Sequence, residues 1–314
     1  MTLKTTFLLL CSCLFATHLF AQERVHVLHV NGQVEYYAQQ GAKPVLLSPG
    51  MELDMKGKVR CKGTGSVKLL SAGKTTVVSG NKMRDLQEVA GKKAGESNTG
   101  FTGRFLNFVE ESVEESDSEE KLKKHHQQNM NKASGGVKGY ANPAYTIKPL
   151  LFASGKLPSS EVTFKWRSVA GDGPYTFSLL LPGQSPVAQL LVTDTTATLD
   201  LKQLALDAGE EYEWSVTRGN TAKSAAVTIE VSPQSMEAAQ NSISKLPYYT
   251  SASPFEQQMM LAYSYEQNNC FYAANQLYIA LFTAEPNNQL VRSLYAAFLA
   301  RMDMLPEAVA LSRH

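Results

Sequence analysis

The pattern of apolar and polar positions divides this chain into blocks. Between Val25 and Val89 short apolar runs alternate with polar residues, as in VHVLHV, NGQVEYY and GSVKLLSAGKTTVVSG, and Gly32, Gly41, Gly50, Gly57, Gly65 and Gly73 punctuate them. A period of two between glycine turns predicts a compact, glycine-rich β domain of hairpins over 25–89. From 145 to 232 the alternation returns in aromatic form. Phe164 and Trp166 share one strand face, Tyr175, Phe177, Leu179 and Leu181 the next, and Tyr212, Trp214 and Val216 another, before a last strand from Ala225 to Val231. Strands so spaced, with turn residues between them, predict a sandwich of two sheets.

Beyond Pro233 the period becomes helical, over 235–314. One helix is predicted from Ser235 to Ile243, and a helical hairpin from Phe255 to Asn288. Leu261, Ala262 and Tyr265 lie on its first helix, Ala274, Tyr278 and Leu281 on its second, and Pro286 stops it. Ala262 and Ala274 sit where the helices cross closely and a larger side chain would hold them apart, while Tyr265 and Tyr278 fill the space between helices. A weaker unit follows, with Tyr295, Ala296, Leu299 and Ala308 at matching offsets. The stretch 90–144 is different in kind. Phe101, Phe105, Phe108 and Val109 form a brief apolar cluster, an acidic run spans Glu110 to Glu120, and Lys121 to Lys124 is basic. Its polarity predicts a charged, partly helical linker that buries little. The fold class expected is therefore multidomain β plus α: a glycine-rich β domain, a charged helical linker, a β-sandwich and short C-terminal α-hairpins.

The first 21 residues read as a signal peptide. Lys4 is the charged flank, Phe7 to Phe20 the apolar run, and Leu19-Phe20-Ala21 the cleavage site before Gln22. The run is short for a membrane span, so a retained anchor is the lesser alternative and the mature chain is expected to carry no integral membrane segment. An exported protein, periplasmic or envelope-associated, is the expectation. Removing Cys11 and Cys13 with the peptide leaves Cys61 and Cys270, too few for a disulfide framework. The formal net charge of the 314-residue chain is +1, which provides no basic field for nucleic acid.

Three resemblances attach to particular residues. Val30, Gly32 and Val34, then Leu47, Gly50 and Leu53, then Val59 and Arg60, then Ser66, Val67, Leu69, Gly73 and Val77 follow the order of a FecR domain. That likeness implies an extracytoplasmic sensing or binding module. The cytoplasmic sigma-regulating segment and transmembrane helix of sensor members have no counterpart in these 314 residues, so their signalling role is not expected to transfer. The F-x-W, Y-x-F-x-L and Y-x-W-x-V strands resemble a fibronectin type III or related immunoglobulin-like module, with Trp166 and Tyr212 as its core aromatics. The hairpin from Phe255 to Asn288 resembles a tetratricopeptide repeat, with Gln258 where the family has its initial Trp and Cys270 at the turn. Such repeats stack and present a surface to another protein.

Candidate chemistry is sparse. His125-His126 is the one conspicuous pair of metal-capable side chains, but neighbouring helical residues point about 100° apart, so the pair reads as part of a solvated polar helix. His26 and His29 lie on opposite faces of a strand. Gly171-Asp172-Gly173 and Gly63-Thr64-Gly65 are turns rather than phosphate loops, and no G-x-S-x-G elbow occurs. No catalytic residue, cofactor or metal site is assigned, and the chain is expected not to be an enzyme. The best candidates for a partner surface are the tyrosines Tyr263 and Tyr272, outside the repeat's core positions, together with Tyr248 and Tyr249. The function expected is a non-enzymatic exported scaffold or adaptor of the bacterial cell envelope, binding protein partners mainly through its C-terminal helices. The alternative is a ligand-sensing or carbohydrate-binding envelope protein that uses its β domains.

Overall fold

The computed structural model describes residues 24–39, 41–71, 74–90, 100–133, 146–168, 173–220 and 222–313. The expected signal peptide lies outside them, as do Gly73 and the glycine-rich end of the expected linker. Four β-sheets are followed by a C-terminal bundle of helices.

The first eight strands are β1 (Arg24–Asn31), β2 (Val34–Tyr37), β3 (Val45–Leu46), β4 (Glu52–Asp54), β5 (Lys58–Cys61), β6 (Ser66–Ser71), β7 (Lys74–Ser79) and β8 (Arg84–Asp85), with the short helix α1 (Leu86–Ala90) after them. They pair antiparallel in two sheets ordered β4-β1-β6-β7 and β3-β2-β5-β8. Val25, Val27, Val34, Val59, Val67 and Leu69 fill the space between the sheets. The β1 pattern VHVLHV is nearly continuous because both of its faces are covered. A register shift between Val27 and His29 displaces Leu28, which joins Leu70 of β6 in the main core of the molecule.

The expected linker is corrected by the structure. It forms two helices, α2 (Gly100–Ser116) and α3 (Glu119–Ala133), that break at Asp117-Ser118 and pack on the C-terminal bundle. Phe105, Leu106, Val109 and Leu122 are fully buried there. The composition is polar overall, but its few apolar residues recur at helical spacing on one side, which is enough to dock a helix when a partner surface exists. His125 and His126 are likewise not solvated bystanders. His126 Nε2 lies 2.5 Å from Asp303 Oδ1, and His125 Nδ1 lies 3.4 Å from Glu115 Oε1.

The next strands are β9 (Ile147–Pro149), β10 (Gly155–Leu157), β11 (Glu161–Ser168), β12 (Tyr175–Leu180), β13 (Pro186–Val192), β14 (Thr196–Asp200), β15 (Glu211–Arg218), β16 (Ala222–Lys223) and β17 (Val227–Val231). One sheet runs β10-β17-β15-β12-β13, with β16 on β15, and the other β14-β11-β9. The alternating aromatics meet between them: Phe164 lies 5.0 Å from Phe177 and 5.3 Å from Trp214, ring centre to ring centre. Trp166 and Tyr212 are both buried. Tyr212 Oη accepts the Asp207 amide at 3.0 Å, and Trp214 Nε1 donates to the Ala153 carbonyl at 2.9 Å.

The bundle comprises α4 (Pro233–Ser244), α5 (Pro247–Ser251), α6 (Pro254–Gln267), α7 (Phe271–Ala284), α8 (Gln289–Arg301) and α9 (Leu305–Ser312). Ala262 and Ala274 are fully buried, and α6 packs along α7. Ser253 caps α6 with a reciprocal Ser253–Glu256 box, and Asn288 caps α8 by accepting the Leu290 and Val291 amides. Both hairpins turn through a left-handed residue, Asn269 (φ 58°) and Asp303 (φ 58°), residue types that tolerate that conformation. Cys270 follows the first of these and is not itself the left-handed residue.

Four helices converge on α8. α2 and α3 lie against it, α7 and α9 flank it, and eight of its side chains, from Leu290 to Ala300, are buried. The N-terminal sheets meet its first turn: Gly50 has φ +84°, and a Cβ there would fall 1.7 Å from Asn288 Oδ1. The sandwich meets the far end, where the Leu151 amide donates to the Met302 carbonyl at 3.4 Å. A second backbone contact joins the sandwich to the other hairpin turn. The Lys156 amide donates to Asn269 O at 2.8 Å beside Gly155, where a Cβ would stand 2.4 Å from the same oxygen.

Two outcomes follow from this packing. Phe105→Ala is expected to cost about 3–5 kcal/mol and to expose α2 and α3 to hydrogen exchange together; urea unfolding and exchange of the full chain test it, and a solvated linker would show neither effect. His26 is buried beside Arg24, and burial first, then that positive charge, hold its imidazole down at about 4. The unfolded chain then takes up a proton that the native state refuses as pH falls from about 6.5 towards 4. Stability present above the unfolded value is expected to drop over that window by about 3 kcal/mol, and His26→Gln to flatten the drop in urea titrations at each pH.

Candidate functional site

The four candidate tyrosines do not form one exposed surface. Tyr263 is 3 % exposed, which corrects the expectation that it stands free. Three phenylalanines of α2 surround it, with ring centres of Phe108, Phe101 and Phe105 at 4.6, 5.3 and 5.9 Å. Tyr272 is half-buried against the sandwich, where its ring stacks on Phe152 and its hydroxyl accepts the Thr163 amide at 3.3 Å. Tyr248 faces the N-terminal sheets. Its hydroxyl donates to Glu256 Oε1 at 3.3 Å, and Lys68 Nζ stands 4.3 Å over its ring. Burial, then the Glu256 charge, push that phenol far above its ordinary range. Tyr249 is half-buried against the main core. Each of the first three thus faces a different part of the same chain.

Beneath these contacts lie two buried carboxylates. Glu256, 1 % exposed, receives Lys68 Nζ at 2.9 Å and the Ser253 amide at 3.1 Å, so strand β6 and helix α6 are tied through one group. Glu266 receives Arg301 twice, Nε on Oε2 at 3.0 Å and Nη2 on Oε1 at 3.2 Å, and also the Tyr278 hydroxyl at 2.7 Å. Arg301 Nη1 donates to Glu115 Oε2 at 3.2 Å, and the guanidinium lies 5.0 Å from the Phe108 ring. Burial alone would lower the guanidinium's pKa, but Glu266, Tyr278 and Glu115 more than reverse this. Burial, then Glu266, raise the Tyr278 phenol well above its ordinary value. A planar fork bridging two carboxylates is a task for arginine rather than lysine.

Two clefts share a wall of Phe271, Arg301 and Met302. One, of about 510 Å³, runs along the sandwich edge past Gly155, Lys156 and Glu230. The other, of about 430 Å³, opens between α2 and the α6–α7 turn. No group of three His, Cys, Asp or Glu side chains that could hold a metal occurs among the described residues, and no described helix is long and apolar enough to cross a membrane. Cys61 and Cys270 are buried free thiols whose pKa values burial pushes up, to about 11 for Cys270, a setting in which the thiolate is disfavoured.

Sequence reasoning missed Arg301, Glu266 and Glu115. The available signal was an arginine at the C-terminal end of a largely apolar helix, and its meaning depends on carboxylates 35 and 186 residues away. Arg301→Ala strands both carboxylates and is expected to cost about 3–5 kcal/mol, with little rescue by Arg301→Lys. Chemical denaturation of the three proteins checks it.

Compared with protein-family models and with curated proteins, the chain matches none.

Proposed function

We propose that this protein is a non-enzymatic exported scaffold or adaptor of the bacterial cell envelope, which binds a protein partner mainly through its tetratricopeptide-like helices. The observation that carries the reading is the character of α7. Its fourteen residues, FYAANQLYIALFTA, include no charged side chain, although Gln276, Ile279, Ala280 and Thr283 are exposed. Ile279 is 39 % exposed, and Leu277 and Phe282 are only partly covered. Depletion of charge, rather than hydrophobicity alone, distinguishes the core of a protein interface from the rest of a surface. The bundle already accepts an aromatic helix in this manner within the chain, since α2 inserts Phe101, Phe105 and Phe108 around Tyr263.

In this reading Tyr263 and Tyr272 serve the adaptor from within, holding α2 and the sandwich in place, and the partner meets α7. The FecR-like and fibronectin-like modules brace the helices at either end. The alternative, carbohydrate or ligand sensing by the β domains, draws less support. The large apolar side chains exposed among the described residues are aliphatic or Met, such as Val45, Leu46, Val187 and Leu191, whereas a carbohydrate platform is built from aromatic rings.

Crosslinked capture from envelope fractions tests the proposal. Ile279→Lys is expected to leave the melting transition in place and to abolish capture of whatever the native chain retains, whereas Leu191→Lys on the sandwich should leave capture intact. Undiminished capture by Ile279→Lys would move the function to the β domains.

A further inference from the structure

Strand β13, PVAQLLV, has the composition of a strand covered on both faces, since all of its residues but Gln189 are apolar. None of them is buried. It is the last strand of its sheet and pairs only with β12 among the described strands, so one row of its backbone amides and carbonyls faces outward. Ala188, Leu190 and Val192 rest partly covered on the main core. Val187 and Leu191 stand on the opposite face, 41 % and 75 % exposed. Charged side chains normally protect such an edge from pairing with another chain. Every other described terminal strand longer than two residues carries one, among them Glu52, Lys74, Lys148, Lys156 and Asp200. Around β13 no charged side chain occurs from Gly173 to Thr193.

We propose that β13 pairs antiparallel with β13 of a second copy of this chain, joining two sandwich sheets edge to edge about a two-fold axis. The self-complementarity of the strand identifies the occupant. With Gln189 opposite its own mate, Val187 lies beside Leu191 of the second copy on the outer face, and Ala188 lies beside Leu190 over the core. Asp194, the nearest charge, falls opposite Gln184, so no like charges meet. Pro186, which has no amide to donate, ends the ladder on each side. The assembly closes at two copies, because the α6–α7 turn already occupies the other end of the sheet, where the Lys156 amide of β10 donates to Asn269 O at 2.8 Å. A contact one strand wide buries less than the about 1,200 Å² of a standard interface, which makes a weak, concentration-dependent dimer. The surface is separate from α7, and the inference does not rest on the adaptor reading.

Sedimentation of the full chain from about 10 μM to about 1 mM tests it, with a dissociation constant on the order of 10⁻⁴ M expected. Gln189 is exposed and its hydrogen bond to Ser178 Oγ, 3.3 Å, lies at the surface, so Gln189→Lys and Gln189→Glu should keep the melting transition. Each variant alone sets like charges opposite one another at the two-fold axis, and should weaken dimerisation at least about tenfold. An equimolar mixture of the two should restore a dimer, less so as salt is raised. Ile279→Lys should leave self-association unchanged. A native chain still monomeric at the highest concentration overturns the pairing, as does a dimer that both Gln189 variants retain or a mixture that stays monomeric. Loss of envelope capture by Gln189→Lys in a monomeric chain would put a strand of another protein on β13 in place of the second copy.

Discussion

Helix α8 is apolar around most of its circumference, and that one property organises the molecule. A helix of this kind is stable in water only when neighbours cover it on several sides. Here α7 and α9 cover two sides and the α2–α3 hairpin a third, while the N-terminal sheets reach its N-cap, Asn288, and the sandwich reaches the carbonyl of its C-cap, Met302. Arg301, at its C-terminal end, converts the packing into a specific arrangement, because its fork is completed only when α2 supplies Glu115 and α6 supplies Glu266. Two isolated helical hairpins would leave α8 wet along one flank. Stability therefore belongs to the whole assembly rather than to its parts in series.

Buried charge reinforces this dependence. Glu256 and Glu266 are each taken out of water, and each is compensated by groups that arrive from distant segments. Paired, such groups contribute little net stability against an apolar alternative, but misplacing one partner leaves a desolvated carboxylate at a cost of several kcal/mol. The network thus selects against register shifts and alternative dockings of the β modules more strongly than it adds to the total. Tyr278, bonded to Glu266 and stacked 5.9 Å from Tyr295, extends the same selection into α7 and α8.

This organisation changes what an adaptor built on these helices has to offer. The face that carries Tyr263 is occupied by α2, an aromatic helix of the same chain, in the helix-in-groove manner by which helical surfaces take up peptide ligands. For the adaptor we propose, the surfaces that remain are the outer side of α7 and the clefts at the seams between modules. Seams are attractive positions for recognition, because their shape exists only when the modules are docked and binding there reports on the assembled state.

Much of the local structure was legible in the sequence for a physical reason. Period-two apolar runs between glycines specify strands, and alternating aromatics such as Phe164, Trp166, Tyr175 and Phe177 specify a two-faced core. Small residues at Ala262 and Ala274 specify a close helix crossing. Each of these signals is read within a few residues. The role of 100–133 was not legible, because average polarity conceals a narrow apolar stripe whose value depends on a receiving surface elsewhere. Nor was the burial of Tyr263, since a tyrosine on the open side of a hairpin is exposed or covered according to what docks beside it. By itself the sequence determined the elements, their apolar faces and their order along the chain. Only the tertiary structure decided which faces meet, because the groups that settle the matter, Arg301 with Glu115 and Glu266, Lys68 with Glu256, and Tyr263 with three phenylalanines, are far apart in the chain and acquire their energetic meaning only when water is excluded from between them.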